Sequence, residues 1–288
     1  MSPFEWQRPA SLAEAMALLG PDDPSVRPLS GGTALMLMMK AGVFRPTRLV
    51  CLQGIAADHA GIVETASGEL HIGALATLAA LEHSPLVARH SPVLREAMTR
   101  LANVRVRNVA RVGGALAHGD PHMDLPPVLA ALRARAVVAG PVGTREVAVE
   151  DLYAGYYETV LAPDELITAV IVPPAGGRRA AYAKVTTRAS HDWPALGIAV
   201  SVLVTDGVVR DASVVVGAAT EKVIRLTATE RALAGAGIDA SSLQRAGEAA
   251  AAEAPVVADA QGSASYKREL LRVHLGRAVG RALADDVG

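Results

Sequence analysis

The alternation of apolar and polar residues predicts an interleaved series of short helices and strands over residues 1–175. Ser11 followed by Glu14 is a capping pair, and the apolar run behind it predicts a helix that Gly20 ends. A strand over 26–30 then leads directly into Gly31-Gly32 and a Met- and Leu-rich helix that reaches Lys40. Further along, the pattern predicts strands over 48–52 and 70–73, a helix over 86–101, a glycine-containing turn region over 109–120, a helix over 124–132, and strands over 136–138, 146–149 and 166–172.

The last third of the chain has a different pattern. The run Pro173-Pro174-Ala175-Gly176-Gly177 interrupts the apolar periodicity and predicts a domain boundary. Beyond it, two long apolar segments flank Asp206-Gly207, a dipeptide typical of two-residue β-hairpin turns. The pattern predicts strands over 180–187, 195–205 and 208–217, followed by helices near 227–233, 241–254 and 263–284. We therefore expect a mixed α+β protein whose second part is an antiparallel sheet covered by helices.

The composition excludes several classes of protein. Hydrophobic residues make up 51% of the 288, which is enough for a large core and excludes a disordered tail protein. Lys and Arg number 28 and Asp and Glu number 29, so the net charge of −1 gives no broad field that favours nucleic acid. No apolar run approaches the roughly 20 residues of a membrane span. The first nine residues lack the basic and apolar segments of a secretory signal, so we expect a cytoplasmic protein.

The single cysteine, Cys51, limits the redox chemistry that this chain can perform by itself. One thiol cannot form an internal disulfide, a multi-cysteine zinc site or a four-thiolate iron–sulfur cluster. Redox chemistry would therefore require an organic cofactor or metal centres on a partner. Cys51 lies in an apolar run and is interpreted as a buried small hydrophobic residue.

Two glycine pairs could bind an anionic cofactor. The first lies in Pro28-Leu29-Ser30-Gly31-Gly32-Thr33-Ala34-Leu35, and the second lies in Arg111-Val112-Gly113-Gly114-Ala115. Glycines behind a strand let backbone N–H groups converge on a phosphate, and a helix that begins there adds its free donors. Neither segment fits the G-x-G-x-x-G or G-x-x-x-x-G-K-[ST] pattern, which disfavours a Rossmann dehydrogenase or an NTPase. Two such turns could instead hold one diphosphate from both sides.

The second glycine pair belongs to a longer signature. Residues 101–126 read LANVRVRNVARVGGALAHGDPHMDLP, which resembles the signature of the FAD-binding medium subunit of molybdenum hydroxylases. This family includes carbon monoxide dehydrogenase and the flavin domain of xanthine dehydrogenase. Ser30-Gly31-Gly32-Thr33 resembles the earlier glycine turn of the family. Segments 158–167, 182–192 and 266–273 resemble later family segments in the same order, so the resemblance covers essentially the whole chain.

The resemblance implies a fold and an arrangement of domains. It implies a two-subdomain FAD-binding fold of the vanillyl-alcohol-oxidase/PCMH type over 1–175, with subdomains of about 1–55 and 56–175. A C-terminal α/β domain with antiparallel strands and helices would follow over 176–288.

The resemblance also implies roles for individual residues. Both glycine turns would hold the FAD diphosphate, Asp124 would bind a cofactor hydroxyl, and Lys184 would lie close to the isoalloxazine. Leu101 and Ile167 would pack near the flavin rings, while no residue of this chain would be catalytic or bind a metal. The residues implied to contact FAD are Pro28, Leu29, Ser30, Gly31, Gly32, Thr33, Ala34, Leu35, Leu101, Arg111, Val112, Gly113, Gly114, Ala115, Asp124, Leu166, Ile167 and Lys184.

The family's division of labour implies partners for this chain. Substrate would be hydroxylated on a molybdopterin large subunit, and electrons would reach FAD through two [2Fe–2S] clusters on a small subunit. The assembly implied is a dimer of heterotrimers, and the acceptor would be a quinone, NAD or O₂.

Two positions depart from the family pattern. Arg111 stands where the family has Thr, and Ala115 stands where the family has Asn. Loss of the amide removes a potential cofactor hydrogen bond of about 1 kcal/mol. Our hypothesis is that Arg111 compensates by pairing with the diphosphate.

Other interpretations of these residues remain open at this level. His118, Asp120, His122 and Asp124 alternate along the chain, which is a weak metal-binding pattern because Gly119 and Pro121 disfavour a regular strand. Asp124 could simply cap the helix that follows it. Lys184 could be an ordinary solvated strand lysine. The alternative functions are a self-sufficient flavin oxidase or reductase and a flavin-free structural or assembly protein.

Overall fold

The computed structural model describes residues 3–20 and 22–284. Strands and helices alternate through the first part of the chain, and long antiparallel strands precede long helices in the second. The strands are β1 (Glu5–Gln7), β2 (Val26–Leu29), β3 (Arg48–Cys51), β4 (Ile62–Glu64), β5 (Leu70–Gly73), β6 (Arg135–Gly140), β7 (Gly143–Ala148), β8 (Tyr153–Gly155), β9 (Glu158–Thr159), β10 (Leu166–Val172), β11 (Arg179–Val185), β12 (Leu196–Thr205), β13 (Val208–Gly217) and β14 (Ile224–Arg225).

Most helices of the first part are short, and the longest lie at the C-terminal end. The helices are α1 (Leu12–Leu19), α2 (Thr33–Lys40), α3 (Ala56–His59), α4 (Leu78–His83), α5 (Pro85–His90), α6 (Pro92–Arg100), α7 (Val104–Val109), α8 (Val112–Ala117), α9 (Leu125–Ala131), α10 (Thr227–Leu233), α11 (Ala240–Glu253) and α12 (Ala264–Ala284). Single 3₁₀ turns follow β3 and β7. No helix in the described part of the chain is long and apolar enough to cross a bilayer.

The first part of the described chain contains three separate sheets, the smallest of which is the antiparallel pair β8–β9. Strands β1, β3 and β2 form a parallel sheet in that order, and α1 packs against it. As predicted, Ser11 caps α1 by accepting the N–H of Glu14. The second sheet is antiparallel and has the order β4-β5-β10-β6-β7, so β10 inserts between strands that are far apart in sequence. The first sheet is thus parallel, and the second is antiparallel because β10 runs opposite to both of its neighbours. Together with the helices, these sheets give the mixed α+β architecture expected from the sequence.

The C-terminal sheet is buried on both faces. It has the order β11-β12-β13-β14, and the Asp206-Gly207 turn joins its two longest strands as predicted. Side chains alternate along each strand, so Val200 and Val214 face the core under α10, α11 and α12, whereas Ala199 and Val215 face the core of the first part. On that second side the sheet packs against α9, and one apolar core therefore continues across the predicted domain boundary.

The single helix predicted over 86–101 is wrong, because the structure has α5 and α6 there instead. Ser91 separates them with φ −147° and ψ 75°, outside the helical region. Pro92 explains the break, since proline lacks an N–H donor and disfavours helical dihedrals at the residue before it. Proline is well suited to the first turn of α6, where no N–H is needed.

The turn region predicted over 109–120 is also partly wrong. α7 ends at Val109, and α8 occupies half of the segment, with Gly113 and Gly114 inside the helix. Tertiary contacts support this short helix: Val112 N donates to Ala76 O at 3.0 Å, and Gly113 N donates to Ala74 O at 2.7 Å. These acceptors lie nearly forty residues away, so local propensity could not reveal the helix.

Candidate cofactor site

The first glycine turn ends with unsatisfied backbone donors. β2 stops at Leu29, and α2 begins directly after Gly32, as predicted. Gly32 occupies the N-cap position with φ 70° and carries no side chain that could cap the helix. The N–H groups of Thr33, Ala34 and Leu35 therefore have no acceptor within the helix. Such donors, together with the positive end of the helix dipole, favour an anionic ligand.

The second glycine turn is held by backbone hydrogen bonds from the segment after β5. Those bonds fix the N–H groups of Val112 and Gly113, while the N–H of Gly114 finds no acceptor among the described residues. Arg111 lies at the N-cap position of α8, and its Nη1 donates to Leu75 O at 2.7 Å. The guanidinium is thus anchored on the same segment that anchors the helix.

The two glycine turns lie against each other, although about eighty residues separate them in the sequence. A Cβ atom built on Gly31 would overlap the carbonyl oxygen of Val109 and lie 2.8 Å from the Cα of Ala110. A Cβ atom built on Gly114 would lie 2.9 Å from the Oγ of Ser30. Only glycine permits both approaches without movement of the neighbours. The two glycine turns are therefore in direct contact, at Gly31 with the backbone of residues 109–110 and at Gly114 with Ser30.

Asp124 and Lys184 form a buried ion pair. Lys184 Nζ donates to Asp124 Oδ2 at 2.9 Å and to Arg100 O at 3.1 Å, and Tyr182 Oη donates to Asp124 Oδ1 at 2.6 Å. The side chains of Lys184 and Asp124 are only 3% and 6% exposed. Burial raises the pKa of the Asp124 carboxyl, while Lys184 and Tyr182 act in the opposite direction. Burial also raises the pKa of Tyr182, so its hydroxyl remains a donor.

The two simpler interpretations that the sequence left open, a helix cap for Asp124 and a solvated lysine for Lys184, are wrong. Asp124 does occupy the N-cap position of α9, but its carboxylate bonds Tyr182 and Lys184 rather than the helix N–H groups. Lys184 is not a solvated strand lysine, because its ammonium is enclosed by Asp124 and the carbonyl of Arg100. A buried pair of this kind is costly to break, since either partner left alone would be an uncompensated charge.

The apolar candidates lie in or against the apolar cores of the first part of the chain. Leu101 follows α6 and is buried, and its carbonyl oxygen accepts Arg107 Nη1 at 2.9 Å. Ile167 packs against the same core, at the position in β10 where a bulge shifts the register with β6. Leu166 and Ile167 also line a narrow cavity beneath Leu75, the residue whose carbonyl anchors Arg111.

The predicted residues therefore fall into two groups, and no hydrogen bond or ion pair joins these groups among the described residues. One group consists of the glycine turns and their free N–H donors, which fit a diphosphate. The other is the Asp124–Lys184 pair with Leu101, which follows the Arg100 carbonyl that Lys184 binds, and this group fits a polar and aromatic ring system. An extended dinucleotide has both chemistries, so the residues present fit FAD.

Sequence reasoning missed Tyr182 as a member of the site. Its hydroxyl holds Asp124, and a signal for it was available, because Tyr182 and Lys184 are two residues apart on a strand and so share a face. The network around His122 was missed as well. There, the partner Asp259 lies 137 residues away, and no local pattern indicates it.

The alternating residues considered as metal ligands point to different partners. His122 faces Asp120 and Asp259, whereas Asp124 faces Tyr182 and Lys184. No group of three or more potential ligands converges anywhere in residues 3–20 and 22–284. The arrangement thus consists of hydrogen-bonded ion pairs and does not have the convergent geometry of a metal centre.

Comparison with known families identifies the class to which this fold and site belong. The family described as the FAD binding domain in molybdopterin dehydrogenase matches residues 2–175, and the CO dehydrogenase flavoprotein C-terminal domain matches residues 180–282. The chain belongs to the FAD-binding medium subunits of molybdenum hydroxylase-type dehydrogenases, which are oxidoreductases. FAD is the cofactor of this family.

Individual relatives match over almost their entire length. The chain is 34% identical to the carbon monoxide dehydrogenase medium chain of Afipia carboxidovorans over 98% of this chain and 97% of that one. It is 31% identical to the nicotine 6-hydroxylase medium subunit of Paenarthrobacter nicotinovorans, covering 96% of each. Among solved structures, the Cu,Mo-CO dehydrogenase in its cyanide-inactivated form matches with a TM-score of 0.93, 34% identity and 99% coverage of both chains. The predicted fold class is confirmed.

Proposed function

We propose that this chain is the electron-transfer subunit of a molybdopterin-dependent dehydrogenase, placed between partner [2Fe–2S] clusters and an external electron acceptor. When bound, FAD supplies a carrier that accepts single electrons and delivers pairs, which such a route requires. The residues of this chain bind and orient that carrier. The observation that carries the proposal is the meeting of the two glycine turns, Gly31 against Val109 and Gly114 against Ser30.

The individual binding roles belong to the same proposal. The N–H groups of Thr33, Ala34, Leu35 and Gly114 would bind the diphosphate oxygens. Asp124 would accept a hydrogen bond from a cofactor hydroxyl, and Lys184 would place a positive charge near the ring that gains electron density on reduction. Leu101 and Ile167 would exclude water from the ring system.

The division of labour follows from the residues that this chain has. Its single cysteine, Cys51, is buried in β3 and cannot hold an iron–sulfur cluster. We propose that an iron–sulfur small subunit and a molybdopterin large subunit supply these centres, in a cytoplasmic dimer of heterotrimers. The relatives named above include medium chains of a carbon monoxide dehydrogenase and a nicotine 6-hydroxylase, which supports a common carrier subunit under different substrate-binding subunits.

Two measurements test this proposal. Affinity purification of the chain from its native host, followed by identification of co-eluting chains and metals, should recover iron- and molybdenum-bearing partners in constant ratio to flavin. A yellow chain that purifies without partners and oxidises a substrate by itself would favour the self-sufficient oxidase. A folded chain that stays colourless after reconstitution with FAD would favour the flavin-free scaffold protein.

A further inference from the structure

His122 forms hydrogen bonds with two carboxylates. Its Nδ1 lies 3.1 Å from Asp120 Oδ1, and its Nε2 lies 2.8 Å from Asp259 Oδ2. A neutral imidazole carries one N–H, so one of these contacts would set a nitrogen lone pair against a carboxylate. Only the doubly protonated imidazolium donates to both partners. Burial acts to raise the pKa of the Asp120 and Asp259 carboxyls, but their hydrogen bonds hold each pKa below its ordinary value. With both carboxyls ionised, the charged ring is the form that satisfies both contacts.

The imidazolium is one member of a chain of alternating charges. Asp259 Oδ2 also accepts Lys267 Nζ at 2.6 Å, and the Lys267 side chain is fully buried at the start of α12. The order Asp120, His122, Asp259, Lys267 alternates negative and positive, so each buried charge has an opposite neighbour. This clamp, defined by those four residues, joins the segment before α9 to the C-terminal domain.

Two further contacts connect the clamp to the C-terminal domain. Ala218 has φ 63°; its N–H donates to Pro121 O at 2.7 Å, and its carbonyl accepts Lys267 Nζ at 2.9 Å. Trp193 covers the imidazole with ring centroids 5.7 Å apart and planes at 20°. An indole face beside a cationic ring stabilises its charged form.

Burial and neighbouring charges act on His122 in opposite directions. Burial lowers the pKa of His122, but the hydrogen bonds and charges of Asp120 and Asp259 outweigh it, and the net pKa is raised. His118 and Tyr157 are the other titratable groups here, and both face Asp120. Asp120 Oδ1 accepts the imidazole and, at 2.9 Å, the backbone N–H of His122, so the imidazolium is the charged group that is hydrogen-bonded to this carboxylate.

The clamp acts on the cofactor site through a very short segment. His122 lies two residues before Asp124, whose carboxylate is bound by Tyr182 and Lys184 of the C-terminal domain. We propose that His122, as an imidazolium, is a positioning residue that fastens segment 120–124 to the C-terminal domain and so holds Asp124 and Lys184 in the flavin site. Loss of its proton would release that segment. The effect on flavin rests on the proposed function, while the clamp itself does not.

The sign of the pH dependence follows from the raised pKa. The clamp contributes its full stability below about pH 6.5, the ordinary value for histidine, and loses it as the pH rises through the raised folded-state pKa. The free energy of unfolding and the affinity for FAD should therefore fall together as the pH rises through the folded-state pKa of His122. Because coupling is reciprocal, saturating FAD should shift the titration of His122 to higher pH.

The first experiment follows His122 through Trp193 fluorescence. In the full chain carrying Trp6→Phe, Trp193 is the remaining tryptophan, and a charged imidazole stacked on it quenches its emission. Emission should rise in one transition between about pH 6 and about pH 9. His122→Gln should abolish the transition, and Asp259→Asn should move it to lower pH. An unchanged transition in either variant would overturn the proposal.

The second experiment measures FAD dissociation over the same pH range. In the native chain affinity should fall at least about fivefold, whereas His122→Gln should bind weakly with a flat profile. His90→Gln is the matched control, because both His90 nitrogens are also hydrogen-bonded, but to neutral Ser91 Oγ and Gly68 O. Normal binding with the native pH profile in His122→Gln overturns this inference alone. Absence of flavin binding at every pH contradicts the proposed function and this inference with it.

Discussion

The two glycine turns of the candidate cofactor site differ in how many backbone N–H groups remain without a hydrogen-bond acceptor. The first leaves the leading N–H groups of α2 open, because Gly32 at the N-cap supplies no side chain. In the second, hydrogen bonds from Val112 and Gly113 to the segment after β5 already use two donors. The first turn therefore keeps more free backbone donors than the second, and the second presents a surface that contacts the first. Identical dipeptides in a sequence can thus serve different purposes.

The largest expected effect is that of Gly31→Ala, which removes the contact between the turns. The new methyl group would overlap the Val109 carbonyl, a backbone atom that cannot rotate away. We expect a loss of about 3 kcal/mol of unfolding free energy, together with loss of bound FAD. Urea unfolding and flavin absorbance measure the two effects. Gly61→Ala is the matched control, since its Cβ would meet nothing within 4 Å; an equal loss there would contradict the prediction.

A smaller effect is expected for Gly114→Ala, because its obstacle is a side chain. The methyl group would lie 2.9 Å from Ser30 Oγ, and the serine can turn away. We expect about 1 kcal/mol of destabilisation and roughly tenfold weaker FAD binding. The double variant with Ser30→Gly should recover most of the stability. Strictly additive effects of the two substitutions would show that the turns do not contact each other.

Arg111→Ala tests whether the second glycine turn binds the FAD diphosphate in addition to contacting the first turn. If the guanidinium pairs with the diphosphate, FAD affinity should fall about fivefold, and the lost bond to Leu75 O should cost about 1 kcal/mol of stability. FAD titration and urea unfolding separate these effects. Retention of FAD equal to that of the native chain would leave Arg111 as an anchor of α8 only.

The smallest effect is expected for Ala115→Asn, which restores the amide found in the family. A new side-chain donor at the second turn should strengthen FAD binding by a few fold, consistent with a single hydrogen bond. Equilibrium titration with FAD measures the change. Ala117→Asn, on the same short helix, is the comparison variant, and an equal gain there would contradict a position-specific contact.

The sequence predicts features whose signals are local. Helix α1 follows from the Ser11 cap, and the β12–β13 hairpin follows from Asp206-Gly207. The break at Ser91 was predictable as well, because Pro92 carries a known backbone rule. Helix α8 was not predictable, since the carbonyls of Ala74 and Ala76 that support it come from a distant strand end.

For the candidate site, the family resemblance indicated which residues to consider, and the structure showed which side chains surround them. Lys184 reads as a surface lysine in its own strand, and only the approach of α9 and the end of α6 buries it. His122 has only Asp120 as a local acidic neighbour, whereas Asp259 and Trp193 reach it from separate loops. Buried polar networks are assembled by tertiary contacts, so single-sequence patterns indicate them poorly.

The burial of Cys51 has a practical consequence for labelling. It is the only cysteine, and it is 2% exposed within β3, so thiol-reactive reagents should leave the folded native chain unmodified. A cysteine introduced at the fully exposed Val142, in the turn between β6 and β7, would then be the sole attachment point for a spin label or fluorophore. Distances from such a probe to a paramagnetic centre on the proposed iron–sulfur partner could be measured without first removing the natural thiol of this chain.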